Sequence, residues 1–186
     1  SRANGWYNGF NFTTYQESGL NTELANELSR QAISERLQFF GEHPAYAADF
    51  YLHKHLSQWA DGTYACRQAT LATYGGRNGF FISLYEGPFS KYFISYCNAY
   101  QNILYLGAII CFYILWKAPH AKAKTPPLTL YLGFITVLGG FLFHMIWEAN
   151  SRYIFLYSLL LLPYTAKGIC RLIQECLWRP FRENRT

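Results

Sequence analysis

Two uncharged apolar runs, held apart by one short polar segment, constrain this chain more than anything else in it. Pro127 to Ile146 has no charged residue and one group that titrates near neutral pH, His144, and Tyr153 to Ala166 is again uncharged. Between them lies Trp147-Glu148-Ala149-Asn150-Ser151-Arg152-Tyr153. With its aromatic ends, each run approaches the ~20 residues that a helix needs to cross a bilayer. The pattern reads as a membrane hairpin closed by a polar clasp. A Glu and an Arg are costly at the mouth of such a hairpin, and charge at that depth is by default a hypothesis of function.

A mean hydropathy of -0.04 looks soluble only because it averages two unlike halves. Up to Ser95 there are seven basic and eight acidic residues; after it there are nine basic and three acidic. The net charge of +5 therefore belongs to the apolar half, where it speaks of membrane topology and lipid contact rather than of nucleic acid. Lys117, Lys122 and Lys124 form one basic cluster, and Arg171, Arg179, Arg182 and Arg185 form another. With three spans, at about 97–116, 127–147 and 153–172, both clusters fall on one side. The basic-loop rule makes that side cytoplasmic, so residues 1–95 and the clasp are expected outside the cell membrane and the C-terminus inside. The chain begins at Ser1 with no signal-peptide pattern, so an external first half needs an upstream span, and a C-terminal portion of a longer protein is expected.

The first half reads as a small helical cap, residues 1–87, ahead of a membrane region, residues 88–186. Asn21 is an N-cap for a helix carrying Leu24, Leu28, Ile33, Leu37 and Phe40, which Gly41 stops. His43-Pro44 opens a second helix to about Trp59, and Asp61-Gly62 turns the chain after it. Cys66 to Gly87 reads as irregular. The cap is too short for a large core of its own, so packing on the membrane helices must stabilise it. Pro88 suits the first turn of a helix that runs to Trp116. The fold class is thus all-α integral membrane: an extracytoplasmic helical cap followed by three transmembrane helices.

His144, Glu148 and Arg152 stand at i, i+4 and i+8, and a helix continuing through the clasp would align them, with Glu148 and Arg152 as an ion pair. One reading is a substrate-binding track of His144, Glu148, Arg152 and Tyr153 for an anionic headgroup or a sugar, since the arginine fork grips phosphate through two parallel hydrogen bonds. The other is a purely structural clasp, with His144 a core histidine. His53-Lys54-His55 looks like a metal tract, but adjacent helical residues point apart, and it reads as a solvated face. No metal or cofactor site is expected. Gly75-Gly76-Arg77-Asn78-Gly79 lacks the lysine of a phosphate loop and reads as flexible. The spacings of the five cysteines match no metal or redox pattern, and a Cys66–Cys97 disulfide is not expected. Gly133, Gly139 and Gly140 allow close helix approach.

Gly5-Trp6-Tyr7-Asn8-Gly9-Phe10, Phe50-Tyr51 with Lys54, Ser57-Gln58-Trp59, Gly62-Thr63-Tyr64 and the Trp147–Tyr153 segment together resemble bacterial membrane glycosyltransferases of the GT-C superfamily, of the protein-mannosyltransferase (family 39) type. The resemblance covers most of the chain, and the Trp147–Tyr153 segment is its most specific part. It implies transfer of a sugar from a polyprenyl-phosphate donor to a glycan or cell-envelope acceptor on the external face. The base in such enzymes is a carboxylate in the first external loop, which this chain does not contain, so no catalytic residue is assigned. Asn150 departs from a lysine commoner in that motif. A non-enzymatic envelope scaffold and a transporter subunit remain the alternatives.

Overall fold

The computed structural model describes residues 5–74, 79–117 and 128–175. Among them every regular element is helical: α1 (Phe10–Glu17), α2 (Thr22–Glu42), α3 (Pro44–Trp59), α4 (Cys66–Tyr74), α5 (Gly79–Tyr85), α6 (Ser90–Lys117), α7 (Leu132–Ile146) and α8 (Ile154–Ile173). Short 3-10 turns precede α7 and α8, at Leu128–Tyr131 and Ser151–Tyr153.

The cap follows its local signals. The Asn21 side chain accepts from the backbone N–H of Glu23 and Leu24, at 3.0 and 3.2 Å, and so starts α2. Pro44 stands in the first turn of α3, where its missing N–H is not needed. The expectation of an irregular Cys66–Gly87 fails: α4 and α5 occupy much of it. They are short, and they are tied to each other by the Arg67 guanidinium of α4 donating twice to the Tyr85 carbonyl of α5, at 3.0 and 2.7 Å. Periodicity over eight residues carries little signal for such pieces. Residues 75–78 of the glycine-rich loop lie outside the described residues, as do Lys122, Lys124, Arg179, Arg182, Arg185 and Cys176.

Two helices, Ser90–Lys117 and Ser151–Ile173 counted with its 3-10 turn, are long and apolar enough to cross a membrane. Only 33% and 28% of their most apolar windows are buried inside the protein, unlike the core helix of a soluble domain. The third expected span, 127–147, is a helix of only 15 residues, Leu132–Ile146, which is apolar but below that length.

The core lies between α6 and α8, where Leu104, Ala108 and Leu161 are buried with Cys111 and Leu115. Backbones nearly touch there. A Cβ on Gly168 would overlap the Gly107 carbonyl oxygen, and one on Gly107 would meet Thr165 Cγ2 at 2.7 Å. The Thr165 hydroxyl donates to the Leu104 carbonyl at 2.7 Å across the same contact. Small residues that let helices approach, with a hydroxyl bonding across, are a contact type enriched between membrane helices. Of the glycines expected to serve this purpose, Gly133 and Gly140 receive the rings of Tyr164 and Tyr157, whereas Gly139 faces open space. The tightest approach is at Gly107 and Gly168 instead.

Candidate functional site

The clasp is not helical. α7 ends at Ile146, and Trp147 is extended, with ψ of 172°. The aligned face expected for His144, Glu148 and Arg152 is therefore absent, and no direct Glu148–Arg152 ion pair forms among the described residues. The cause is capping from a distance. Lys54 Nζ donates to the Met145 carbonyl at 2.9 Å, taking one of the acceptors left open at the end of α7. The backbone N–H of Ala149 donates to the Gly5 carbonyl at 2.9 Å, which pulls the chain away from the helix axis. The Asn150 side chain then accepts from the Arg152 N–H at 3.1 Å and starts the 3-10 turn.

The four expected site residues nevertheless come together, by another route. His144 is 4% exposed, and its Nδ1 lies 2.9 Å from the Glu148 carbonyl oxygen. Its ring stacks on Tyr153, with centroids 5.6 Å apart and planes 11° from parallel. The Tyr153 hydroxyl donates toward Glu148 Oε2 at 3.4 Å and accepts from Arg152 Nη2 at 3.2 Å. A phenol oxygen thus stands between the acid and the base. The Arg152 guanidinium lies 5.1 Å from the Tyr153 ring centroid, and its remaining N–H groups meet no acceptor among the described residues.

Below this cluster, between α7 and α8, is a cavity of about 570 Å³. Thr136, Phe143, Leu156, Tyr157 and Leu160 form its walls, and His144, Arg152 and Tyr153 also line it. The size is that of an ordinary ligand pocket. The arrangement is amphipathic: a long apolar trough with a cation at its end.

Asp61 was legible in the sequence only as a turn residue, yet it holds cap and clasp together. Its Oδ1 accepts from the Thr63 N–H at 3.0 Å and the Thr63 hydroxyl at 2.6 Å; its Oδ2 accepts from the Ala65 N–H at 3.2 Å and from Ser151 Oγ at 2.6 Å. Burial works to raise its pKa, but the hydrogen bonds from Ser151, Thr63 and Ala65 outweigh it and hold the carboxyl below its ordinary value. Ser151 is fully buried. A second tie runs from the Tyr64 hydroxyl to Ser158 Oγ at 2.8 Å.

The expected solvated face of His53-Lys54-His55 holds for His53 alone, which is exposed and pairs with Asp49 at 3.2 Å. Lys54 is 5% exposed, and His55 stacks on Phe141 of α7 with centroids 4.1 Å apart. α3 turns both inward because its other inward positions, Gln58 and Trp59, lie one turn on. Burial, with the neighbouring Lys54 and His144 as smaller causes, lowers the His55 pKa and favours a neutral ring. Both ring nitrogens of His55, both amide atoms of Gln58 and the Trp59 indole nitrogen are buried without a hydrogen-bond partner among the described residues. Groups of His, Cys, Asp and Glu able to hold a metal are absent among the described residues.

No protein-family model matches the chain, and comparison with curated proteins and with solved structures gives no match.

Proposed function

We propose that the clasp and the groove beneath it bind a lipid phosphate, in the service of a membrane glycosyltransferase that uses a polyprenyl-phosphate sugar donor on the external face of the cell membrane. The observation that carries the reading is the juxtaposition of Arg152, with unused donors, and an apolar trough between two helices. An isoprenoid chain suits the trough, and the phosphate oxygens suit the guanidinium fork. Tyr153 and Glu148 orient Arg152, while the His144 ring fixes Tyr153 from behind. In this reading residues 1–95 form an external cap, α7 with its preceding 3-10 turn completes a third crossing, and the basic segments face the cytoplasm. The transferase activity itself rests on the sequence resemblance, and the acceptor is a glycan or another envelope component.

The test is a pair of variants assayed for sugar transfer in the whole protein. Arg152→Lys keeps the charge but loses the fork, and transfer should fall at least tenfold with the fold intact. The swap of Glu148→Arg with Arg152→Glu moves the cation away from the trough, and should leave the protein folded and inactive. Full transfer by the swapped protein would leave the clasp a structural device only.

A further inference from the structure

A second cavity, of about 690 Å³, lies where α2, α3 and the segment before α1 meet the C-terminal end of α7. It shares no lining residue with the groove between α7 and α8. Ile33, Leu37, Phe40, Phe50 and Trp6 make its wall largely apolar. Arg36 and Lys54 place two cations on that wall, and among the described residues no carboxylate lines it.

Lys54 is the unusual member. At 5% exposure its ammonium has one hydrogen bond, to the neutral Met145 carbonyl. Its stem lies against Gly5, where a Cβ would come within 2.8 Å of three of its carbons. Gly5 also has φ of +81°, so two independent constraints keep that position a glycine and the lysine where it is. A buried ammonium is ordinarily paired with an anion, because a carbonyl dipole does not cancel a full charge. Among the described residues neither Lys54 nor Arg36 has such a partner; the acid–base contact present is that of His53 with Asp49, elsewhere on α3. The Tyr51 ring lies 5.9 Å from the ammonium but carries no full negative charge, and burial pushes the Lys54 pKa below its ordinary value. Arg36 sits over the rings of Phe39 and Phe40, at 5.7 and 5.8 Å, which hold the guanidinium against the cavity edge without using its N–H donors. At the other edge are Met145 and Ile146, the latter 92% exposed at the end of an apolar helix. The lining therefore runs on to an exposed apolar side chain of the kind that suits lipid.

We propose that this cavity is a second anion site, which seats the headgroup of an anionic amphiphile between Arg36 and Lys54 and its apolar body against α2 and α3. Charge complementarity and the apolar wall select this occupant over a free inorganic anion, which leaves the wall unused. The site is independent of Arg152, and its occupancy does not rest on the role given to the clasp.

Isothermal titration of the whole chain in an uncharged maltoside detergent, with decyl phosphate as the probe, tests it. The wild type should show a saturable site that decanol does not occupy and that inorganic phosphate at equal concentration does not clear. Arg36→Gln alters an exposed side chain whose packing is limited to its contact with the Phe39 and Phe40 rings, and should weaken that site roughly tenfold with the fold intact, the worth of one charge-assisted contact. Lys54→Met, which keeps the stem, should weaken it further; should that variant not fold, Arg36→Gln decides alone. Arg152→Gln should leave the site in place. Unchanged affinity in Arg36→Gln, displacement by inorganic phosphate as effective as by decyl phosphate, or a single site that vanishes with Arg152→Gln would each overturn the proposal. Failure of the clasp reading looks different: Arg152→Gln would then change nothing while Arg36→Gln still did.

Discussion

Cutting the tie between Asp61 and Ser151 should loosen the clasp by an amount the geometry sets. Ser151→Ala removes one 2.6 Å hydrogen bond to a carboxylate and leaves the other three donors on Asp61. Hydrogen bonds to a charged group contribute about 1.5–3 kcal/mol, and the alanine leaves only an oxygen-sized gap, so the variant should lose about that much. Asp61→Asn should cost more. Its one oxygen serves Thr63, and its NH₂ then faces the Ala65 N–H, donor against donor, for a total of about 2–4 kcal/mol. Because the two residues touch, the double variant should cost less than the sum, with a coupling of about 1–3 kcal/mol. The assay is denaturant unfolding of the whole chain in detergent micelles, at neutral pH and on acidification. The sign with pH follows from the lowered carboxyl pKa: the contribution is fully present above the unfolded value of about 4 and fades as pH falls through the lower folded value. The gap between wild type and Asp61→Asn should therefore shrink in acid. Additive variants, or a gap that does not change between pH 7 and pH 3, would refute the tie as the element joining cap to clasp.

Gln58→Met keeps the side chain's length and removes two buried, unpartnered amide atoms, so it should stabilise the fold by about 1–3 kcal/mol in the same unfolding assay; destabilisation would mean that the amide has a partner. Gly107→Ala drives a methyl into Thr165 and should cost about 1–3 kcal/mol, whereas Gly139→Ala meets open space and should be neutral or slightly stabilising; equal costs would remove the close contact of α6 with α8 from the account.

What the sequence made legible follows a physical rule. Elements specified by their own residues read correctly: Asn21 and Pro44 place the starts of α2 and α3 within a residue, and the run through Trp116 gives α6. Elements decided by distant partners did not. The spacing of His144, Glu148 and Arg152 pointed to a continuous helix, because nothing local tells that Lys54, 91 residues earlier, caps Met145, or that Gly5 takes the Ala149 N–H. The same holds for Asp61, which local chemistry marks as a turn and whose bond to Ser151 spans 90 residues. Lys54 and His55 misled in the opposite direction, since polar residues on a helix suggest water until the packing of α3 on α7 turns them inward. The companionship of the four clasp residues was legible; the phenol bridge that joins them was not, because it needs the chain to leave the helix at Trp147.

In the proposed site a lipid phosphate would have its head at Arg152 and its chain between α7 and α8. A photoreactive isoprenyl phosphate, incorporated in vesicles with the whole chain and mapped by mass spectrometry, tests it most directly. Labelling should concentrate at Thr136, Phe143, Leu156 and Leu160, the walls of the groove, and fall in Arg152→Gln; the matching isoprenyl alcohol should label them weakly. Label spread evenly over the exposed faces of α6, α7 and α8, at the same level for phosphate and alcohol, would contradict it.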